Sequence, residues 1–132
     1  MDKFTVTNLR DVEDSAPRFG FAPDMEARFC SRQLGLTQSG ASLQRLAPGF
    51  AQPFGHSHHR QEELYVVLDG SGRVRLDDEV VELHRLDAVR VAPQVTRAFV
   101  AGPDGLEFLA FGAPAVERAM DDVEQRPAWD GA

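Results

Sequence analysis

Phe54-Gly55-His56-Ser57-His58-His59-Arg60-Gln61-Glu62-Glu63-Leu64-Tyr65-Val66-Val67-Leu68-Asp69-Gly70 is the stretch that decides how this 132-residue chain is read. Three of the four histidines fall within four residues, two carboxylates follow, and an apolar run then ends at a glycine. The run is rich in β-branched and aromatic residues, so the segment predicts strand backbone that carries imidazole and carboxylate groups together. Side chains alternate along a strand, which puts His56 and His58 on one face roughly 6–7 Å apart and turns His59 away. Two imidazoles so placed can share one ion. A carboxylate from the next strand would complete a 2-His-1-carboxylate set, the facial arrangement that holds non-haem iron with positions left open. The same donors suit manganese, nickel, copper and zinc. Periodicity does not choose the carboxylate: Leu64, Val66 and Leu68 share the parity of Glu62, Tyr65 and Val67 that of Glu63, and both sets are apolar.

Outward from this stretch the text breaks into short strand-like pieces at 26–32, 41–46, 61–69, 73–77, 80–83, 88–91, 95–100 and 106–111. They are separated by turn texts such as Ala47-Pro48-Gly49, Asp69-Gly70-Ser71-Gly72, Asp77-Asp78-Glu79 and Gly102-Pro103-Asp104-Gly105. Spacing this dense predicts antiparallel hairpins and an all-β sandwich or barrel, with no room for βαβ units. Val74 and Leu76 alternate with Arg73, Arg75 and Asp77, so at least one strand has a wet face. Before the barrel, residues 1–24 are interrupted by Pro17, Gly20 and Pro23 and predict an extended arm with at most a short strand at 4–7. Phe19 and Phe21 in that arm either pack on the barrel or a partner subunit, or form a local cluster. After it, Pro114 stands at a first helical position and Val116, Met120 and Val123 recur at helical spacing, which predicts one or two docked turns. Trp129 reads as ordinary packing, with the capping of a pocket or interface as the alternative.

Length predicts a single domain over 1–132: an arm and first strand at 1–35, a barrel at 36–113 and a tail at 114–132. Lys and Arg total 14 against 21 Asp and Glu, a net charge of -7. That balance argues against an electrostatic grip on nucleic acid or on an anionic membrane. Cys30 is the one cysteine, which rules out an intrachain disulfide and a Cys-rich zinc site, and it reads as a buried structural thiol. No signal-peptide core or membrane-length apolar run is present, so the expectation is a soluble, cytoplasmic protein.

The pattern His56-x-His58-x4-Glu63-x6-Gly70, with Gly49 upstream, resembles the first motif of the small single-domain cupins, and the phrase from Glu62 to Gly72 is similar to the one they carry there. The resemblance runs from about residue 44 to 111. It implies a cupin double-stranded β-helix, a jelly-roll barrel, with a divalent metal held by His56, His58 and Glu63. It also implies a homodimer and a small-molecule ligand.

The second cupin motif is only partly matched. In Leu86-Asp87-Ala88-Val89-Arg90-Val91-Ala92-Pro93-Gln94-Val95-Thr96-Arg97-Ala98-Phe99, Asp87 and Pro93 align, Leu86 and Gln94 replace glycines, and Arg97 stands where the fourth ligand histidine is expected. A guanidinium has no lone pair to give, so these motifs cannot build a three-His-one-Glu cage. Three outcomes follow. The metal stays on His56, His58 and Glu63 while Arg97 binds an anionic substrate group; or Arg97 pairs with Glu63 and the pocket is metal-free; or Arg97 turns outward. Parity with Phe99 favours an inward side chain. Tyr65 and Phe99 join Arg97 as candidate substrate contacts, with ordinary core as their alternative, as also for Phe54. His84 reads as surface.

Two function classes remain. One is a metal-dependent enzyme of dioxygenase, isomerase or lyase type acting on a small polar or anionic molecule. The other is a non-catalytic, metal-free binding or sensing module in which Arg97 replaces the fourth ligand.

Overall fold

The fold is taken from a computed structural model that describes residues 3–128; Trp129 lies outside the described residues. Eight strands follow in order: β1 (Met25–Phe29), β2 (Gly40–Leu46), β3 (Phe54–His58), β4 (Glu62–Leu76), β5 (Glu79–Leu83), β6 (Ala88–Val91), β7 (Arg97–Ala113) and β8 (Val123–Pro127). Two single-turn helices, α1 (Ser31–Leu34) and α2 (Ala119–Asp122), lie between β1 and β2 and before β8. The strands form one curled sheet in the order β1-β2-β7-β3-β8, with β4 pairing to β5, β6 and β7. Every strand pairing is antiparallel, as the hairpin spacing predicts.

Alternation on β4 sets the inside of the barrel. Tyr65, Val67 and Val74 are buried, whereas Glu62, Leu64 and Arg73 are exposed. The buried side chains join Leu46, Leu83, Val91, Phe99, Leu106 and Phe108 in one core. At its centre Tyr65 lies 4.9 Å from Phe99 and 5.7 Å from Phe108, ring to ring, and Phe99 and Phe108 stack at 4.6 Å. Offset and edge contacts at these distances add to the burial of three large rings.

The pieces read as separate strands at 61–69 and 73–77 are one strand, and so are those at 95–100 and 106–111. The glycine texts between them make a shared bend, not hairpins. Gly70 has φ 75° and a Cβ there would lie 2.0 Å from the Gly105 carbonyl oxygen, so β4 and β7 touch backbone to backbone where both bend. Register shifts between Val67 and Asp69 and between Gly70 and Gly72 absorb the extra residues, as β-bulges do at a barrel corner.

Both termini differ from expectation in detail. Residues 4–7 form no strand; the arm instead makes 3-10 turns at Leu9–Asp11 and Ala16–Phe19. Val12 and Ala16 are buried, and the Phe21 ring lies 5.8 Å from that of Phe54, so the arm docks on its own barrel while Phe19 stays exposed. The first strand ends at Phe29, and α1 takes up the rest of the expected 26–32 segment. At the other end only Ala119–Asp122 is helical, Met120 points to solvent at 77% exposure, and the unforeseen β8 runs along the edge of β3. Val123-Glu124-Gln125-Arg126-Pro127 has no alternation, so its strand form comes from pairing with β3 and not from propensity. No helix among the described residues is long and apolar enough to cross a membrane.

Candidate metal centre

β3 and the starts of β4 and β7 meet at one point, and the residues there were chosen by strand parity. Gly55 lets β3 approach: a Cβ at this position would meet the Arg97 carbonyl oxygen at 2.8 Å. In register, His56 lies opposite Arg97 on one side and Gln125 on the other. On β4, Glu63 shares the inward face of Tyr65 and Val67, while Glu62 turns out to pair with Arg90. The structure thus makes the choice of carboxylate that alternation alone leaves open.

The ligating atoms of His56, His58 and Glu63 all lie within 4.8 Å of one another. Glu63 Oε1 is 2.9 Å from His58 Nε2 and 3.5 Å from His56 Nε2. The same oxygen accepts from the Tyr65 hydroxyl at 2.5 Å and from Arg97 Nη1 at 3.3 Å. Tyr65 and Arg97 thus converge on the carboxylate oxygen that faces both imidazoles. His58 Nε2 is buried and has no directed hydrogen bond among the described residues, despite its short distance to Oε1.

Asp122 on α2 explains how the ring is held. Its Oδ2 lies 2.9 Å from His58 Nδ1. Burial pushes the Asp122 carboxyl up, but the Gln61 and Arg60 amides and the His58 ring outweigh it and hold the group below its usual range. An ionised Asp122 only accepts, so Nδ1 carries the proton and Nε2 is the nitrogen that faces Glu63. His58 Nε2 and the Glu63 oxygen approach to 2.9 Å, a distance at which a positive centre, a proton on Nε2 or a metal ion, lies between them. The N–H direction that a proton bridge needs is not met, and the convergence of His56 Nε2 on the same point fits a metal ion, which such a trio of donors would bind with positions left open. A carboxylate on the far nitrogen is also the usual partner of a metal-binding histidine.

The Glu63 carboxyl is likewise pushed up by burial, but its contacts with His56, His58 and Tyr65 hold it well below the usual carboxylate range. Burial and the neighbouring Glu63 charge raise Tyr65 well above an ordinary phenol, with Arg97 opposing. Tyr65 is therefore a fixed donor to Glu63.

Arg97 faces inward and is fully buried, as its parity with Phe99 predicts, and the outward orientation is excluded. Its Nη2 donates to the Ala92 carbonyl at 2.9 Å and its Nε has no partner among the described residues. Tyr65 and Phe99, 3% and 1% exposed, lie in the core beneath the centre. His59 turns outward beside Glu124, His84 is exposed next to Asp87, and the buried Cys30 thiol donates to the Ala41 carbonyl. Phe54 sits at the surface against Phe21. Two open grooves, one past Glu63, Leu64, Arg90 and Phe111 and one past Arg10, Arg45 and Asp104, contain neither histidine, although Glu63 of the centre lines the first. On the histidine side the centre is partly open, the His56 side chain being 29% exposed. Asp122 was not foreseen from sequence. It lies 64 residues from its partner in an acidic tail that reads as solvated, and nothing local marks it.

A cupin-domain model matches residues 42–111, more than half of the chain. Among solved structures, a cupin protein from Bacteroides fragilis is 27% identical with a TM-score of 0.71, the match covering 89% of this chain and 90% of the other. A sugar phosphate isomerase of the cupin superfamily from Silicibacter pomeroyi is 17% identical at TM-score 0.70, with 97% and 95% covered. Oxalate decarboxylase from Bacillus subtilis is 22% identical at TM-score 0.73; the match covers 94% of this chain but only 33% of that one, so the chain spans about a third of that enzyme. No curated protein matches the sequence. With the sequence motif, the curled antiparallel barrel and the family match in agreement, the chain belongs to the cupin family.

Proposed function

We propose that this cupin binds a divalent transition metal through His56, His58 and Glu63 and acts on a small polar or anionic molecule at that centre. The observation that carries the reading is His58: a buried Nε2 with no directed hydrogen bond, its ring held from behind by Asp122, aimed at the point where His56 and Glu63 converge. Iron, manganese, nickel, copper and zinc all suit these donors. When bound, such an ion supplies Lewis acidity and, if redox-active, oxygen chemistry of the dioxygenase kind.

The chain's own residues do the rest. Tyr65 and Arg97 both donate to Glu63 and fix its orientation. Arg97 adds a permanent positive charge beneath the open side, which favours an anionic ligand next to His56. Its Nη atoms are already engaged, so it acts through its field and through Glu63, while Tyr65 and Phe99 form the apolar floor. The likeness to oxalate decarboxylase and to a sugar phosphate isomerase carries the fold alone. Both names do describe enzymes of small anions, which agrees with a site of this charge.

Elemental analysis of protein purified without added metal or a histidine tag tests the proposal. Stoichiometric bound metal that is lost in His56→Ala supports it. One specific contact favours a second reading, a metal-free binding module: the Arg97–Glu63 pair at 3.3 Å already compensates the carboxylate. A stable protein that stays clear of metal in supplemented medium selects that reading.

A further inference from the structure

Asp122 lies beyond the family-matched segment, yet it contacts the centre directly. It is 3% exposed, and its Oδ2 meets His58 Nδ1 at 2.9 Å. The carboxylate also accepts the Arg60 amide on Oδ1 at 2.9 Å and the Gln61 amide on Oδ2 at 3.2 Å. Its carbonyl accepts the His59 amide at 2.8 Å. One residue of the tail therefore fixes the turn after β3 and the imidazole at its end. Capping the turn requires only the amides. The contact with Nδ1 is additional, and it determines which ring nitrogen is presented to His56 and Glu63.

We propose that Asp122 is a positioning residue of the metal centre, supplied by the C-terminal tail, which locks the His58 ring and makes Nε2 its ligating atom. The proposal rests on the metal-binding reading above. It assigns the segment after β7 a part in the site that the two cupin motifs do not contain. β8 supports it by pairing along the whole of β3, from Phe54 opposite Pro127 to His58 opposite Val123, so α2 cannot shift without shifting the strand that bears both histidines.

The test uses the full chain with Zn2+ as probe, its affinity measured by competition with a chromogenic chelator. Asp122→Asn keeps an acceptor oxygen for the Arg60 and Gln61 amides but loses the charge and one acceptor; it should weaken Zn2+ binding about 10–100-fold. Asp121→Asn, its exposed neighbour, should bind as the parent does. If Asn disturbs the fold, Asp122→Ser retains a hydroxyl acceptor and gives the same readout. In the metal-free protein the His58 Nδ1 proton should give a protected NMR resonance that vanishes in Asp122→Asn, a change that turn capping alone would not produce. Parent and Asp122→Asn binding Zn2+ equally would overturn the positioning role and leave the metal reading intact. No Zn2+ binding by the parent would overturn both.

Discussion

Glu63 and Arg97 concentrate the chemistry of this protein in one buried contact. Removing one member of such a pair strands the other's charge, so Glu63→Gln should destabilise the metal-free protein by about 3 kcal/mol, the low end for buried pairs because Glu63 keeps some exposure. Denaturant midpoints at unchanged slope measure this, and an unchanged midpoint contradicts it. The pH dependence has a definite sign. The folded Glu63 carboxyl lies below its unfolded value, so its contribution is complete above about pH 4.3 and is lost as pH falls through the folded value. Parent and Glu63→Gln stabilities should therefore converge on acidification. Arg97→His removes a cation and restores a donor, and should raise Zn2+ affinity at least about tenfold. Unchanged affinity would mean that Arg97 is not the element limiting the site. Tyr65 is the chain's single tyrosine, so near-ultraviolet phenolate absorbance reports on it alone. It should stay protonated beyond the ordinary range until the protein unfolds in alkali; a smooth titration near pH 10 would contradict its burial.

Among the elements, the bend of β4 against β7 sets the barrel and the C-terminal tail completes the site. Gly70→Ala places a side chain in the left-handed region and into the Gly105 carbonyl, and should cost at least about 2 kcal/mol. An unaltered denaturation midpoint would show that the two strands do not touch there. If the tail and the metal support each other, linkage requires that Zn2+ slow tryptic cleavage after the exposed Arg118 and that His56→Ala abolish this protection. Cleavage indifferent to Zn2+ would separate the tail from the centre. Much of this scale was legible in the sequence: β3, β5, β6 and the inward Arg97 follow from alternation and turn chemistry. The joined strands were not, because glycine marks a bulge and a hairpin with the same residues and only the backbone contact between Gly70 and Gly105 distinguishes them. β8 and Asp122 were not either, since both owe their place to partners about 65 residues away in sequence.

For the whole molecule, the cupin barrel was readable from one motif because spacing, residue type and strand context agreed there. The departure at Arg97 was equally plain, and parity with Phe99 turned its side chain inward, but its partners there, Glu63 and the Ala92 carbonyl, are decided by packing alone. The homodimer implied by the resemblance is expected to use the outer sheet face, where Leu64 and Phe111 lie opposite each other in register at 41% and 40% exposure. Sedimentation should give a dimer that Leu64→Glu converts to monomer; a monomeric parent contradicts this.

The central claim, a metal held by His56, His58 and Glu63 beside a buried Arg97, is tested most directly by a crystal structure of Zn2+-soaked protein with anomalous data at the zinc edge. One strong peak is expected roughly 2.0–2.2 Å from His56 Nε2, His58 Nε2 and a Glu63 oxygen, with Asp122 still on His58 Nδ1. A map without that peak, with Glu63 still closed on Arg97, would contradict it.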